Sequence, residues 1–412
     1  MSPAPVATES VLQFLLGLSD RQAAEAVRCR IDIKYAFSLK PDAPGFPRNV
    51  LDHGPATVPL VTTRLPSSSL DLAPIVDRED LKVIRREFGL GEVHGLVFLP
   101  NGILNRNWRI QTGNGDFALK LLHRADAEEV SRSARVLTAL ARLGLPVPTW
   151  VPTRSGEPLL QIGPRTYGLS HWAEGAHLPG RQLSLEQAAE FGTLVADLQR
   201  VLNDPVCVPL PGIGPRPQAS PGGVESALAT VERLAAICRA LPNPTLFDTR
   251  ALDLLERRRA LLAAHAAHAP TFGPWHGPYG WTHGDLGWRN ILHQHGQVSA
   301  VLDWDRLAVR PFAHEVARTA VVQFDSEDGV LDLARVAAFV RGYRAATPLP
   351  RMVLAQAVER LWWKHLVSFW IFEFHYDQAD TSADEVLEPV EHLATWWSSH
   401  REAVQDAFAS RA

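Results

Sequence analysis

The chain has 412 residues, of which 46% are hydrophobic and 21% charged, enough for an ordinary buried core and about two to three domain-sized units. Its 41 basic and 45 acidic residues leave a formal net charge of −4, which argues against a nucleic-acid partner. Because no stretch reaches the roughly 18 apolar residues of a membrane span and the three cysteines lack metal-ligand spacing, we expect a cytoplasmic protein without a membrane partner or structural zinc.

The first part of the chain stands apart from the rest. Residues 12–39, LQFLLGLSDRQAAEAVRCRIDIKYAFSL, resemble the helical N-terminal segment of insertion-sequence transposases, and the likeness covers roughly residues 8–52. A run rich in proline, serine and threonine follows, so we predict a transposase-like helical fragment over 1–55 and a linker with a lead-in helix over 56–91. Two interpretations of this segment stay open. It is a fused fragment or the product of a start site assigned too early, or it is a segment that binds DNA.

Five short apolar runs between residues 93 and 170 alternate with turn residues, as antiparallel strands do. Turn signals stand at Gly113–Gly115 and at Gly163–Pro164. The predicted strands are 93–99, 107–111, 116–122, 158–162 and 166–170.

Lys120 lies within the third of these strands, between apolar neighbours. An ammonium group in such a place is unfavourable unless it meets an anion. Only five of the 41 basic residues are lysines, so a lysine here indicates a compact point charge of the kind that suits phosphate groups. A lysine on an edge strand that reaches solvent is the alternative.

Helical patterns dominate the remainder of the chain. Residues 126–143 show helical apolar spacing before Gly144, and residues 184–202 open with a capping-box pattern. Residues 203–223 carry too many prolines and glycines for a continuous element and precede a helix over 224–240. Apolar spacing from residue 361 to 376 predicts one long amphipathic helix.

The stretch WTHGDLGWRNILHQHGQVSAVLDWDR, residues 281–306, carries the chemistry. Asp285 precedes Asn290 by five positions, and Asp303 ends an apolar run that forms the second strand of a hairpin. Carboxylate and amide oxygens are the ligands that Mg²⁺ prefers. Phosphoryl transfer needs a group that accepts or orients the substrate hydroxyl, here Asp285, and metal ligands, here Asn290 and Asp303.

HGDLGWRN at 283–290 and LDW at 302–304 resemble the motifs HGDxxxxN and (I/L)D(W/F) of the aminoglycoside phosphotransferase and choline kinase-like family. The resemblance covers roughly residues 92–400. It implies an α+β, protein-kinase-like bilobal fold in which a small antiparallel β lobe is followed by a larger helical lobe, with a helical or disordered N-terminal extension. We expect the β lobe over 92–169, a hinge over 170–175 and the helical lobe over 176–405.

The same resemblance implies ATP and magnesium as cofactors and assigns the nucleotide-binding residues. The turn containing Gly102 and Asn105 would cover the triphosphate, and Lys120 would meet the α and β phosphates. Main-chain groups near Ser170 and Trp172 would bond the adenine edge. The implied activity is ATP-dependent transfer of the γ-phosphate to a hydroxyl of a small molecule, such as an aminoglycoside-like antibiotic, an amino alcohol or a sugar.

Departures from the family pattern keep alternatives open. Ser133 stands where the family carries a glutamate that orients the lysine, so we assign that role to Glu129, one helical turn earlier, with Glu128 as its competitor. A solvated acidic helix start is the alternative. Glu315 replaces an aspartate that braces the catalytic loop, and Gln199 replaces a histidine, where we expect only packing. An ATP-binding pseudo-enzyme without turnover is therefore the second functional hypothesis.

Three further assignments concern the surroundings of the site. We expect His283 to brace the loop, with a role as general base as the alternative. Arg289 is expected in a surface salt bridge, with a contact to phosphate as the alternative. The aromatic residues between 360 and 400 are expected in the core, although an acidic-aromatic wall that favours a cationic acceptor is also possible from Glu373, His375, Tyr376 and Asp377.

Overall fold

The computed structural model describes residues 76–99, 105–122, 127–208, 210–219, 222–271, 273–381 and 383–409. The transposase-like fragment and most of the predicted linker lie outside these described residues. Two compact units are present. The first contains the described residues between 76 and 122 with 153–168 and 370–385, and the second contains 127–152, 169–369 and 386–409.

A five-stranded sheet dominates the first unit. Its strands are β1 Val93–Leu99, β2 Arg106–Thr112, β3 Gly115–Leu122, β4 Leu159–Ile162 and β5 Arg165–His171. They lie in the order β1-β2-β3-β5-β4, and the pairs β1-β2, β2-β3 and β4-β5 are antiparallel. The observed bounds differ from the predicted ones by no more than one residue at each end.

Helix α1, Arg78–Phe88, precedes the sheet and is anchored to it by a buried carboxylate. Asp77 caps its first turn. Asp80, only 3% exposed, accepts hydrogen bonds from the Tyr167 hydroxyl at 2.6 Å and from Arg165 Nη2 at 3.0 Å. Because a buried carboxylate needs such donors, these contacts hold α1 against β5.

The second unit is mainly helical. In chain order the helices are α2 Ala127–Arg142, α3 Leu185–Leu202, α4 Val224–Ala240, α5 Leu246–His265, α6 Phe312–Phe324, α7 Leu333–Ala346, α8 Arg351–Val367, α9 Trp370–Gln378, α10 Leu387–Ser399 and α11 Arg401–Phe408; of these, α9 belongs to the first unit. The predicted capping box of α3 is present between Ser184 and Gln187. Among the described residues, no helix has the length and apolar character needed to cross a membrane.

Helices α3 and α7 cross with their backbones in contact. A Cβ atom on Gly192 would collide with the main-chain oxygen of Phe339, and one on Gly342 would collide with that of Ala189. The Thr193 hydroxyl donates to the Gly342 carbonyl at 3.2 Å. Only glycine permits this approach, so the two glycines set the distance between the helices.

Three short antiparallel strand pairs shape the loops of the second unit. Pairing of Thr282 with Ala308 closes residues 283–307 into one loop segment. The β9-β10 hairpin lies inside this segment. The pairs are β6 Gln218–Ala219 with β7 Gly273–Pro274, β8 Tyr279–Thr282 with β11 Ala308–Pro311, and β9 Ile291–Gln294 with β10 Gln297–Val301.

The single long helix predicted over 361–376 is wrong, because α8 ends at Val367 and α9 begins at Trp370. The break has a physical cause in Arg258, which is fully buried on α5. Its Nη1 donates to the carbonyls at the end of α8, His365 at 2.6 Å, Leu366 at 2.8 Å and Ser368 at 3.2 Å. A guanidinium group thus satisfies the carbonyl groups that helix ends leave without partners.

Five of the nine Phe, Tyr and Trp side chains between residues 360 and 400 lie in the core, while Phe374, Tyr376 and Trp396 are half-buried and Trp370 is 41% exposed. The fully or nearly fully buried rings are Trp362, Trp363, Phe369, Phe372 and Trp397. In the first unit, His375 Nδ1 lies 2.9 Å from Asp384 Oδ1, and its ring packs at 4.6 Å against Tyr376. Whether this group faces an acceptor stays a prediction.

Candidate active site

The loop between β8 and β11 begins with a backbone turn that requires glycine. Gly284 has φ 83°, in the left-handed region. A side chain at this position would collide with the main-chain oxygen of Arg306 on the returning part of the loop. Close approach of the two chain segments thereby places Asp285 beside the residues that follow Asp303.

Asn290 and Asp303 are connected through main-chain hydrogen bonds. The Asn290 side-chain Nδ2 donates to the Asp285 carbonyl at 2.8 Å. The Asn290 carbonyl accepts from Leu302 N at 2.8 Å, and Asp303 follows directly with φ 59° and ψ 70°. This left-handed conformation is uncommon outside glycine, although aspartate tolerates it better than most residues. Asp285, Asn290 and the start of the Asp303 turn therefore form one hydrogen-bonded group.

The two oxygens of the Asp285 carboxylate have different surroundings. Oδ1 accepts a hydrogen bond from Arg318 Nη2 on α6 at 2.5 Å. Oδ2 lies 3.9 Å from Arg306 Nε, too far for a hydrogen bond. The carboxylate is 27% exposed. One oxygen is therefore anchored, while the other makes no hydrogen bond with the described residues.

His283 is a buried bracing residue. Its Nδ1 accepts the Asp285 N–H at 3.2 Å, and its Nε2 lies 2.9 Å from the Leu302 carbonyl. Burial lowers the pKa of His283 to about 4, so the ring is neutral at pH 7 and Nε2 carries the proton that it donates to Leu302. Both nitrogens are occupied by the backbone, which agrees with the bracing role and argues against the general-base alternative.

Glu315 anchors the same loop from α6. Its Oε1 accepts the Gly284 N–H at 2.6 Å, and its Oε2 accepts from Gln199 Nε2 at 2.8 Å. Gln199 in turn accepts from the Tyr343 hydroxyl at 2.6 Å, so this buried side chain forms hydrogen bonds in addition to the packing expected for it. Burial raises the pKa of Glu315, while the donors from Gln199 and Gly284 oppose that rise. The replacement of aspartate by glutamate therefore retains a loop anchor.

The donor set fits a magnesium ion. Because Asn290 Nδ2 is directed to the Asp285 carbonyl, Oδ1 of the same amide is available as a ligand atom, and Asp303 supplies a carboxylate from the adjoining turn. In the part of the chain that the structure describes, no group of three or more His, Cys, Asp or Glu side chains converges on a metal site. Such a small set of oxygen ligands is typical of Mg²⁺, which keeps water and phosphate oxygens in its shell.

The predicted phosphate-binding residues of the first unit lie on and before the β2-β3 pair. Lys120 pairs with Asn107 across the sheet and is half-buried between the buried residues Leu119 and Leu121. Asn105 lies in the bend just before β2. Gly102 lies outside the described residues. The roles of all three stay predictions.

The remaining predicted nucleotide-binding residues belong to the second unit. Glu129, on α2, is 66% exposed, and its Oε1 lies 3.7 Å from Arg132 Nη2, so its pairing with Lys120 stays a prediction. Ser170 bridges to Trp150 near the end of β5. Trp172 lines a surface depression of 280 Å³ together with His171, Glu174, Gln294 and Ser299.

Sequence motifs did not identify the arginine that holds Asp285. Arg318 lies one helical turn after Glu315, and this spacing places both side chains on adjoining parts of the α6 surface. That spacing was the available signal. Arg289, expected in a salt bridge, forms no ion pair with the described residues, and its guanidinium instead lies 5.1 Å from the Trp288 ring centre.

Comparison with known proteins shows similarity to kinases and phosphotransferases of small molecules. A homoserine kinase from Pseudomonas aeruginosa is 24% identical over 300 residues, which cover 71% of this chain and 87% of that protein. An aminoglycoside phosphotransferase from Alicyclobacillus acidocaldarius has a similar fold, with a TM-score of 0.53 at 15% identity, covering 79% of this chain and 95% of that one.

A spectinomycin phosphotransferase in complex with ADP and spectinomycin also has a TM-score of 0.53, at 13% identity, covering 78% of this chain and 94% of that one. These similarities confirm the predicted α+β fold of a small sheet unit and a larger helical unit. The model of the phosphotransferase enzyme family, APH, matches residues 95–349, more than half of the chain, and the chain therefore belongs to that family.

Proposed function

We propose that the protein transfers the γ-phosphoryl group of magnesium-bound ATP to a hydroxyl group of a small molecule. Membership of the phosphotransferase family supplies the reaction type. The observation that carries the proposal is the hydrogen-bonded group of Asp285, Asn290 and the Asp303 turn. It combines a carboxylate for the acceptor hydroxyl with oxygen ligands for a metal.

Each residue of this group has a role in the proposed reaction. Asp285 Oδ2 accepts the proton of the acceptor hydroxyl, whose oxygen bonds to the γ-phosphorus. The bond from that phosphorus to the β,γ-bridging oxygen breaks, and ADP leaves with the electron pair. Asn290 and Asp303 hold magnesium, which when bound neutralises phosphate charge.

The nucleotide is assigned to the residues identified from the sequence. Lys120 would neutralise the α and β phosphates, and Glu129 would orient that lysine. Main-chain groups around Gly102 and Asn105 would cover the triphosphate. Those near Ser170 and Trp172 would meet the adenine edge.

The acceptor class is narrowed by the relatives. One relative is named for homoserine, and two structural neighbours are named for aminoglycosides and for spectinomycin. All three names denote small hydroxylated molecules that carry amino groups. The relatives' names therefore favour an amino alcohol or an antibiotic of aminoglycoside type as acceptor. A sugar, expected from the family resemblance, completes the proposed acceptor class.

Substitution Asp303→Ala tests the proposal. The variant should lose magnesium-dependent phosphoryl transfer, by at least about 100-fold in kcat, because a metal ligand is removed while the surrounding turn can persist. The measurement is ADP release and product formation across amino alcohols, aminoglycosides and sugars, with circular dichroism to verify folding.

Asp253→Ala provides the matched control. Asp253 is an exposed carboxylate on α5 that pairs with Arg257, outside the loop segment. Turnover by the Asp303 variant at the wild-type rate would reject the metal-ligand assignment. If the wild-type protein binds ATP but transfers no phosphate to any acceptor, the pseudo-enzyme hypothesis, motivated by Ser133 and the exposed Glu129, replaces this proposal.

A further inference from the structure

Beyond the exposed Arg351 at its start, α8 carries two cationic side chains that make no hydrogen bond or ion pair with any described residue. They are Arg360 and Lys364, which lie one helical turn apart and so share one face of the helix. Arg360 is partly buried, and its Nη1 is buried without a hydrogen-bond partner. Part of the Lys364 side chain is exposed, which leaves its ammonium group accessible.

Aromatic contacts connect Arg360 to the catalytic loop. The Arg360 guanidinium lies over the Trp275 ring, 5.0 Å from its centre. Trp275 also packs against the ring of His314 at 5.3 Å. His314 lies on α6, one turn before Arg318, which holds Asp285. Two ring contacts within the second unit therefore link Arg360 to α6, the helix that also carries Arg318.

Lys364 belongs to the same positively charged region. Burial of its stem lowers its pKa, and Arg318, Arg306 and Arg310 lower it further because like charges disfavour the ammonium form. Arg318 is already paired with Asp285, and Arg310 donates to the Arg306 carbonyl at 2.8 Å. Arg306 lies 3.9 Å from Asp285 Oδ2, whereas Arg360 and Lys364 have neither a hydrogen bond nor an ion pair with the described residues.

The buried guanidinium nitrogen of Arg360 is unfavourable without an acceptor. The gathering of arginines around the Lys364 ammonium is unfavourable as well. An arriving anion removes both penalties. A carboxylate suits this site because a guanidinium and an ammonium together offer it several charge-assisted hydrogen bonds.

We propose that Arg360 and Lys364 bind the carboxylate of the acceptor, so that the preferred substrate is an alcohol that also carries a carboxyl group. This inference rests on the proposed function and narrows its acceptor class. The inferred acceptor carries a negative group, whereas the acidic-aromatic residues at 373–377 would favour a cationic acceptor. A nucleotide phosphate offers similar chemistry, so the experiment separates the two sources of anion.

Matched acceptor pairs test the inference with the full-length protein. L-homoserine is compared with 3-aminopropan-1-ol, and L-threonine with 1-aminopropan-2-ol, because the members of each pair differ only in the carboxyl group. Phosphorylation is followed at saturating ATP and magnesium, and acceptor binding is measured by calorimetry with a non-hydrolysable ATP analogue present. We expect the carboxylate-bearing members to bind and react with KM or Kd values at least about tenfold lower.

Variants Lys364→Met and Arg360→Met identify the residues responsible. Each should raise the KM for the preferred carboxylate acceptor by about 10- to 100-fold, the loss expected for a hydrogen bond to a charged group. The KM for ATP should stay within about twofold. Arg351→Met, which removes an exposed charge at the start of the same helix, should change neither constant. Melting temperatures show whether loss of the Trp275 contact unfolds the Arg360 variant, and Lys364→Met tests the site without that contact.

Three outcomes would overturn the inference. In the first, the KM for ATP rises in place of the acceptor KM, which assigns the cations to a nucleotide phosphate. In the second, the carboxylate-free or cationic acceptors are preferred while phosphoryl transfer proceeds. In the third, ATP binds but no carboxylate-bearing alcohol binds or reacts. Failure of the proposed function has a separate signature, which is the absence of phosphoryl transfer to every acceptor class.

Discussion

The Asp285 carboxylate depends on Arg318, whose Nη2 holds Oδ1 at 2.5 Å, while Oδ2 makes no hydrogen bond with the described residues. Substitution Arg318→Met should free the carboxylate to rotate and lower kcat by about 10- to 100-fold, since small displacements of reacting groups have effects of this size. The KM for ATP should stay within about twofold. Steady-state kinetics of the folded variant measure both constants.

Arg318→Lys is the conservative partner of this variant. It keeps the charge and one hydrogen bond, so it should recover part of the lost kcat. If Arg318 had only a structural role, Arg318→Met would lower the melting temperature and leave kcat per folded molecule unchanged. That pattern would remove Arg318 from the positioning role.

Asp325, at the end of α6, makes stability depend on pH. Burial raises its pKa to about 7, and its Oδ1 is buried without a hydrogen-bond partner. The unfolded chain releases this proton near pH 4, so between about pH 4 and 7 the folded state binds more protons. The contribution of Asp325 to the free energy of unfolding therefore decreases as pH rises over that range, and it levels off above pH 7.

Substitution Asp325→Asn should remove this contribution. The free energy of unfolding of the wild type should fall between about pH 5 and pH 8, and that of the variant should fall by about 1–3 kcal/mol less. This difference is the penalty for a buried polar group without a partner. Urea unfolding at both pH values provides the measurement. Asp328→Asn, at an exposed position, is the control. Equal pH dependence in wild type and Asp325→Asn would show that Asp325 is not the responsible group.

At the level of single residues, the sequence was informative where chemistry follows from local spacing. Asp285, Asn290 and Asp303 lie in one loop segment, and their grouping could be predicted because a hairpin returns the chain over a short distance. Arg318 and Arg360 could not be recognised in this way. Their surroundings are created by helix packing, which a linear motif does not record.

At the level of elements, a buried ion pair joins α5 to α10. Arg258 Nη2 lies 2.5 Å from Glu391 Oε1, and Arg258 Nε donates to Oε2 at 3.1 Å. Glu391→Ala should lower the free energy of unfolding by about 3–5 kcal/mol, because it leaves a buried guanidinium without its counter-charge. Urea unfolding monitored by tryptophan fluorescence measures the change.

The same two helices supply a matched control. Arg250 and Glu388 also pair α5 with α10, at 2.9 Å, but both side chains are more than half exposed. Glu388→Ala should therefore change the free energy of unfolding by less than about 1 kcal/mol. Similar losses from both variants would contradict the interpretation that burial, and not pairing alone, gives Arg258 and Glu391 their importance.

The elements themselves were predictable where local pattern and tertiary environment agree. In β2 and β3, buried residues alternate with half-buried ones, which is the pattern that the sequence displays. The prediction of one helix over 361–376 was wrong because the apolar spacing continues across Ser368. The interruption of the helix depends on Arg258, 110 positions earlier. Local periodicity contains no information about that contact.

At the level of the whole molecule, the family match begins at residue 95, after the transposase-like segment has ended. The described part starts with Val76 and with α1, which carries its own N-cap at Asp77. Deletion of residues 1–75 should therefore change the melting temperature by less than about 2 °C, consistent with loss of less than about 1 kcal/mol, and leave phosphoryl transfer nearly unchanged.

Calorimetry and kinetics on the shortened and full-length chains provide that test, and a gel-shift measurement on both addresses the DNA-binding hypothesis. A large loss of stability or activity would make the segment integral to the enzyme. At this scale the sequence predicted the architecture through its two motifs. The limits of the two units could not be derived similarly, since residues 370–385 join a unit distant from them in sequence.

The glycine crossing of α3 and α7 has a consequence for how the enzyme tolerates change. Gly192 and Gly342 set the helix spacing, while Gln199 on α3 and Tyr343 on α7 form the polar chain that ends at Glu315 and the catalytic loop. An added methyl group at either glycine would wedge the helices apart and pull on that chain. A single added carbon at either position should therefore disturb two things together, the seating of one helix on the other and the anchoring of a loop that neither glycine belongs to.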